Sequence, residues 1–446
     1  MTTRRDFIKK TILGTTALSL GGSLHHLNAR EYTKIIGAND RIRVAAIGVN
    51  ARGYALSANF VKQKGCEITY ICDVDLRAAE KCAQNVEKIQ GNRPKIVTDF
   101  RMALDAKDVD AVFVATPDHW HALASLWAMK AGKDVYSEKP ASYCPAEGEA
   151  LIKAVKKYKR VYQIGTQRRS WPNIVEGIKA LKKGVIGDVF FGKAWYANNR
   201  APIGKGKETA VPEWLDWDLW QGPAPRRPYK DNIVHYNWHW FWHWGTGEAL
   251  NNGTHMIDML RWGLELDYPT RVNSVGGRYC YHDDWETPDT QVINIDYGGK
   301  KAMTLELRSC NLQKIENSTS GVIFYGTKGN LVIPSNDAYR IYDMNNKLIK
   351  EQNSKIKVDP HNLMNPAETL DAIHINNFFD AIRKGTKLHA DVTTGHISTL
   401  LMQLGNIANR VGRTLDIDPK NGHILNDKEA NKLWSRKYQP GFEVKI

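Results

Sequence analysis

The sequence predicts an α/β fold: an N-terminal doubly wound parallel sheet joined to a C-terminal α+β domain with an open, mostly antiparallel sheet. Three observations predict it. From Arg41 onward, short β-branched runs alternate with amphipathic stretches; the first run leads into the turn Gly48-Val49-Asn50-Ala51-Arg52-Gly53; and past about Trp171 the apolar runs lengthen and follow one another directly. Strand-helix alternation marks parallel βαβ units, whereas successive alternating strands mark an antiparallel sheet with one wet face.

In chain order, residues 42–47, 68–71, 111–115, 135–137 and 161–164 read as buried parallel strands. Helical periodicity falls between them, at 53–64, 76–88, 121–131 and 145–158. The second half offers strands at 188–197, 271–281, 291–297, 302–308 and 321–325, then helices at 367–384 and 393–411 that return to pack on the body. The predicted organisation is a leader at 1–30, a first domain at 41–165 and a second at 166–430. No internal repeat or low-complexity tract interrupts it.

With 446 residues, 42% of them hydrophobic, the chain can bury the cores of two to three domains. Lys+Arg exceed Asp+Glu by 62 to 48, but the basic residues are scattered, which argues against a nucleic-acid partner. At the N-terminus Arg4-Arg5 precedes an apolar-leaning stretch, and Gly14, Gly21 and Gly22 disfavour a stable first helix there. The pattern is that of a twin-arginine signal, with the twin-arginine translocon as partner, and predicts export, to the periplasm in a Gram-negative cell. No other stretch approaches the ~20 apolar residues of a membrane span. The six cysteines show no CxxC spacing and read as buried small hydrophobes; no disulfide is required.

The chemistry starts at the glycine turn. It lies between a strand and a helix, and Asp73 ends the second strand 20 residues after Gly53. In a Rossmann unit, backbone N–H groups at the helix start hold a pyrophosphate, and such a carboxylate accepts from ribose hydroxyls. NAD is therefore predicted over NADP, whose 2'-phosphate Asp73 would repel; Arg52 or Arg77 could soften the preference. Asn50 replaces the middle glycine of the fingerprint, which asparagine's tolerance of positive φ permits. A tight turn in some other α/β protein is the competing reading.

Two further motifs fall at predicted carboxyl edges, where open sheets bind ligands: Thr116-Pro117-Asp118-His119-Trp120-His121 and Glu138-Lys139-Pro140. With Gly165-Thr166-Gln167-Arg168 and the glycine- and asparagine-bearing segment from Gly245 to His255, their order and spacing resemble the glucose-fructose oxidoreductase, inositol dehydrogenase and rhizopine-catabolism group, Gfo/Idh/MocA. The resemblance runs from about Arg41 to about Asp416. It implies a Rossmann domain, a substrate domain that often mediates homo-oligomerisation, tightly held NAD, and hydride transfer from a secondary hydroxyl of a sugar, glycoside or polyol. It also implies that Lys139 and His255 are the catalytic pair. A Glu138 ion pair and a core histidine are their plainer readings.

Gly48, Asn50, Ala51, Arg52, Gly53, Asp73, Thr116, Pro117, His121, Glu138 and Gln167 form the candidate cofactor shell; Arg168, Tyr236, Trp238, Asn251 and Asp258 are candidates for substrate contact; no metal is expected. Relatives often carry Asp where Asn251 stands, four residues before the histidine. Asp258 shares a helical face with His255, so it could orient the imidazole, or be a surface charge. From His235 to Trp244 tryptophans alternate with other residues, so in extended backbone the indoles would share one side, to stack on a sugar or to pack between domains. His239 and His243 lack a third ligand for a metal. An NAD-dependent glycosidase or epimerase is the alternative activity, although the usual Tyr-Pro-Thr-His run is replaced by Asn252-Gly253-Thr254-His255. A catalytically silent sugar-binding protein is a third possibility, opposed by the presence of both Lys139 and His255.

Overall fold

A computed structural model describes residues 41–356 and 367–446; the twin-arginine segment lies outside the described residues. The first sheet is built from β1 (Ile42–Ile47), β2 (Cys66–Cys72), β3 (Lys95–Val97), β4 (Ala111–Val114), β5 (Asp134–Ser137) and β6 (Tyr162–Ile164). Its order is β3-β2-β1-β4-β5-β6, and every pairing is parallel. The order reverses at β1, which lies between β2 and β4, and a doubly wound sheet opens its ligand crevice at that switch point.

Helices cover both faces of this sheet. On one face lie α1 (Ala51–Val61) and α2 (Leu76–Gln90), where Phe60 meets Phe113, Tyr136 and Phe379 edge-on or tilted. On the other, α3 (Arg101–Asp105), α4 (Asp118–Lys130) and α5 (Pro145–Tyr158) bury Leu104, Leu123, Leu126 and Leu151. The helix limits have local causes. Asp75 caps α2 by accepting from the N–H groups of Arg77 and Ala78, and Gly91 ends it at φ +85°.

The second sheet carries β7 (Val189–Ala197), β8 (Arg271–Gly277), β9 (Thr290–Asp296), β10 (Ala302–Arg308), β11 (Ser320–Gly326), β12 (Gly329–Pro334), β13 (Tyr339–Tyr342), β14 (Leu348–Gln352) and the short β15 (Leu415–Asp416). Its order is β14-β13-β12-β11-β7-β10-β9-β8-β15. All contacts are antiparallel except β7 with β10, which run parallel. In β10, Met303, Leu305 and Leu307 face the core while Thr304 and Glu306 face out, the period-2 pattern of a sheet with one covered side. That covered side packs on α6 (Pro172–Lys182), then, beyond α7 (Trp217–Gln221) and α8 (Gly247–Asn251), on α9 (Gly253–Leu264). The helix α10 (Glu368–Lys384) returns to the first sheet through Ile375, Phe378 and Phe379, and α11 (Val392–Val411) packs on the second. The short α12 (Lys428–Asn431) follows.

Three sequence readings need correction. The segment from His235 to Trp244 is not extended: Asn237–Trp240 forms a 3-10 turn. Trp238, Trp240 and Trp244 are buried, with Trp240 stacked 3.9 Å from Trp285 and Trp244 in edge contact with Trp217 and Trp220, while Trp242 is half-buried beneath Arg410. Packing therefore takes three of the four rings. Of the cysteines, Cys72, Cys82 and Cys144 are buried, Cys66 and Cys310 partly so, and Cys280 is exposed; all are free. Strands β3, β12, β13 and β14 escaped the periodicity because β3 is a three-residue edge and β14 is nearly all exposed. Among the described residues, no helix is long and apolar enough to cross a membrane.

Candidate functional site

The crevice begins at the turn after β1. Gly48 has φ +79°, and a Cβ there would stand 2.7 Å from the Thr116 nitrogen. A Cβ on Gly53 would meet the Gly48 oxygen at 1.7 Å, so both positions require glycine. Asn50 has φ −73°, so the turn asks no positive φ of it, contrary to expectation. No side chain caps α1 and no acid sits in its first turn, which leaves the N–H groups of Ala51, Arg52 and Gly53 facing the crevice mouth. Across from them, the Thr116 hydroxyl is buried without a partner among the described residues, next to Pro117 at the start of α4. A close-packed glycine cradle, an uncapped helix start and an orphaned hydroxyl together fit a dinucleotide.

Asp73 accepts from the Val49 nitrogen at 2.7 Å and the Asp75 nitrogen at 2.9 Å, which stitches the β1 turn to the end of β2. Burial raises its pKa against the pull of those two hydrogen bonds. Neither arginine thought able to soften the NAD preference is free to do so. Arg77 pairs with Asp75 and lies 3.5 Å over the Trp214 ring, and Asp75 also meets His235 Nε2 at 2.8 Å. Arg52 turns inward to Glu138 at 2.8 Å and Asp371 at 3.0 Å. Gln167 serves the same cluster, accepting from Arg52 and donating to the Gly165 carbonyl. Glu138 is thus a buried counter-ion: Arg52 and Lys139 hold its pKa down although burial pushes it up.

His121 is likewise a strut. Its two ring nitrogens stand 2.7 Å from the Thr116 and Pro140 carbonyls, tying the β4 turn to the β5 turn. Both turns are thereby set relative to each other, which fixes the backbone next to Lys139.

Lys139 Nζ donates to the Asn251 carbonyl at 2.6 Å and lies 3.3 Å from its Oδ1, so Asn251 positions the ammonium. Burial lowers the lysine's pKa, opposed by Glu138 and Asp118. On α9, His255 keeps Nδ1 buried and without a partner among the described residues. Burial, then the cations Lys139, Arg168 and Arg52, depress the imidazole's pKa well below its ordinary value and keep it neutral. An uncharged imidazole beside an ammonium is a base next to an electrostatic stabiliser.

Asp258 neither orients His255 nor lies on the surface. Its carboxylate accepts from Arg169 Nε at 2.7 Å, Arg169 Nη2 at 3.0 Å and the Ser398 hydroxyl at 2.6 Å. Trp238 is buried too, its indole donating to the His235 carbonyl. Tyr236 remains exposed at the rim, its hydroxyl accepting from Arg200 at 2.8 Å.

The sequence reading missed Arg200, Glu248 and Asp371. Arg200 Nε donates to Glu248 at 2.7 Å, and Glu248 in turn holds Asn251 and the Ser309 hydroxyl. His239, weighed only as a metal ligand, bonds the Tyr236 carbonyl through Nδ1 and is pushed down to about 3 by burial, with Lys139 and Arg200 as charged neighbours. The sole signal for Glu248 was its place inside the Gly245–His255 motif.

Two family models match: the oxidoreductase family with NAD-binding Rossmann fold over residues 42–166, and that family's C-terminal alpha/beta domain over residues 215–417. Among curated relatives, a glycosyl hydrolase family 109 protein of Saccharopolyspora erythraea is 29% identical over 49% of this chain and 52% of its own length. An alpha-N-acetylgalactosaminidase of Shewanella oneidensis is 24% identical over 35% of each chain. The chain thus spans about half the first relative and about a third of the second. Among solved structures, a levoglucosan dehydrogenase in complex with NADH and levoglucosan shares the fold, with TM-score 0.65 and 18% identity over 84% of this chain and 99% of that one. On the two domain matches, which take in the glycine turn, Lys139 and His255, the chain belongs to the Gfo/Idh/MocA oxidoreductase family.

Proposed function

We propose that the protein oxidises a secondary hydroxyl of a sugar, glycoside or polyol, with His255 as base and Lys139 stabilising the developing alkoxide. The observation that carries this reading is the pairing of an unpartnered, neutral His255 with the Asn251-held Lys139 at the carboxyl edge of the sheet. NAD, when bound, supplies the hydride acceptor. The N–H groups of Ala51, Arg52 and Gly53 would hold its pyrophosphate, the Thr116 hydroxyl and Pro117 would line its path, and Asp73 would accept from the ribose. Lys139 then attracts the hydroxyl oxygen, lowering its pKa, and His255 takes the proton.

Asp73→Ala removes a charged acceptor and also frees the Val49 nitrogen it holds. Bound NAD is expected to fall about tenfold or more, from the ~1.5–3 kcal/mol of a charge-assisted hydrogen bond. Nucleotide released on denaturation measures it; unchanged content would sink Asp73's role.

A glycosidase that oxidises and re-reduces one substrate is the second reading, favoured by the names of the two curated relatives. Mass analysis of products from a glycoside panel separates the two. Loss of two hydrogens means net oxidation; cleavage without it means hydrolysis; an unaltered panel counts against both.

Export by the twin-arginine route fits a cofactor loaded before translocation and then retained. Changing Arg4 and Arg5 to Lys is expected to leave the precursor in the cytoplasm, because the guanidinium pair rather than the charge is read. Fractionation identical to wild type would refute the signal. The uncovered face of the second sheet is our candidate for homo-oligomer contact.

A further inference from the structure

Residues Gln167, Arg168, Arg169 and Ser170 form one 3-10 turn directly after β6, and three of them have clear partners. Gln167 serves Arg52, Arg169 is chelated by Asp258, and the Ser170 hydroxyl lies 2.6 Å from His374 Nδ1. Arg168 differs. Among the described residues its guanidinium bonds only to the thioether of Met256, at 3.5 Å, and lies 5.6 Å from the Trp171 ring centre. Thioether sulfur is a weak acceptor, and no carboxylate stands within ion-pair distance of Arg168 among the described residues. The carboxylate whose charge acts on it, Asp371, is already bound to Arg52.

A half-buried guanidinium without a counter-ion is costly, since desolvation of a charge is offset only by close pairing. Burial pushes its pKa down to about 10, the reverse of the upward shift at the paired Arg200. The place of this cost is specific: the guanidinium reaches the thioether of Met256, the residue that follows His255 on α9, and its charge is one of those that depress that imidazole's pKa.

We propose that Arg168 anchors an anionic group of the substrate, a carboxylate or a phosphate ester, so that the enzyme acts on an acidic sugar rather than a neutral one. This rests on the reading of the Lys139–His255 crevice as the substrate site. A planar guanidinium binds either anion through two parallel hydrogen bonds, and an incoming anion would give Arg168 the counter-ion that the chain does not supply.

The test is equilibrium binding to the NAD-loaded protein, followed by calorimetry at low salt. The probes are glucuronate and galacturonate, the corresponding neutral sugars, and glucose 6-phosphate. At least one acid is expected to bind about tenfold or more tightly than its neutral counterpart. Arg168→Met should abolish that margin, and Arg168→Lys should retain part of it. NAD content, which reports folding, should stay constant in both variants. Preference for the uronate identifies the carboxylate and preference for the sugar phosphate identifies the ester. Three results overturn the proposal: no acid in the panel binds more tightly than its neutral partner, the margin survives in Arg168→Met, or that variant loses NAD instead, which would place Arg168 in cofactor binding. An acid that binds selectively but never reduces the cofactor refutes the dehydrogenase reading and leaves the anion site standing. Oxidation of neutral sugars without any acid preference does the opposite.

Discussion

Single-turnover reduction of bound cofactor is expected to fall by about 10² or more in His255→Ala and in Lys139→Met, with NAD content nearly unchanged. The two changes remove different things. Without the imidazole the hydroxyl proton loses its proposed acceptor as hydride departs. Without the ammonium the alkoxide develops in a partly desolvated site that has lost the cation held there by Asn251. Lys139→Met also leaves the Asn251 carbonyl without its donor, so a loss of about 1 kcal/mol in stability is expected there and almost none in His255→Ala.

The pH profile follows from the same geometry. His255 must be unprotonated to act, and burial with three cationic neighbours depresses its pKa, so it gains a proton only at a pH below the ordinary imidazole value of about 6.5. Lys139 must be protonated, and its pKa is lowered, so its proton is lost below the usual lysine range. The activity plateau should therefore lie to the acid side of that for an unperturbed His–Lys pair. Wild-type reduction rates in both variants would remove the pair from the mechanism; an acid limb at or above 6.5 would contradict the electrostatic account of His255.

The largest loss of stability is expected at Asp258→Ala, about 3–5 kcal/mol. Arg169 and Asp258 are both almost fully buried, with side-chain exposures of 8% and 2%, and Ser398 links the pair to Arg261. Removing the carboxylate leaves two buried guanidinium groups without the anion between them, since Arg169 already opposes the charge of Arg261 and Asp258 is the first of the groups that favour it. An apolar replacement of both partners, Arg169→Met with Asp258→Leu, should recover most of the loss, because no unpaired buried charge remains. Urea unfolding of the three variants checks this. A single-variant loss under 1 kcal/mol would mean that water reaches the pair, and the buried ion pair would then not hold α9 against the turn after β6.

Much of this was legible beforehand for identifiable reasons. β4 is apolar at every position because helices cover both faces of its sheet, so it stands out as a continuous run. The glycine turn was legible because two close backbone approaches exclude any Cβ, and the Lys139 and His255 motifs because their order and spacing resemble those of the family. Edge strands such as β3 and β14 have no buried face to leave a period, and the tryptophans of 235–244 follow the packing of a 3-10 turn rather than a strand.

The sequence by itself determined the two kinds of sheet and the glycine turn at the switch point, and its family resemblance pointed to Lys139 and His255 as the candidate pair. Only the tertiary structure decided how the charges are shared out. Arg52 meets Glu138 across 86 positions and Asp371 across 319, Arg169 meets Asp258 across 89, and Lys139 meets Asn251 across 112. No local periodicity encodes such partners. Ion pairing depends on which side chains the packed sheets and helices bring within a few ångströms, and that choice turned the Asp258 carboxylate and the Arg52 side chain inward to partners while, among the described residues, no carboxylate pairs with Arg168.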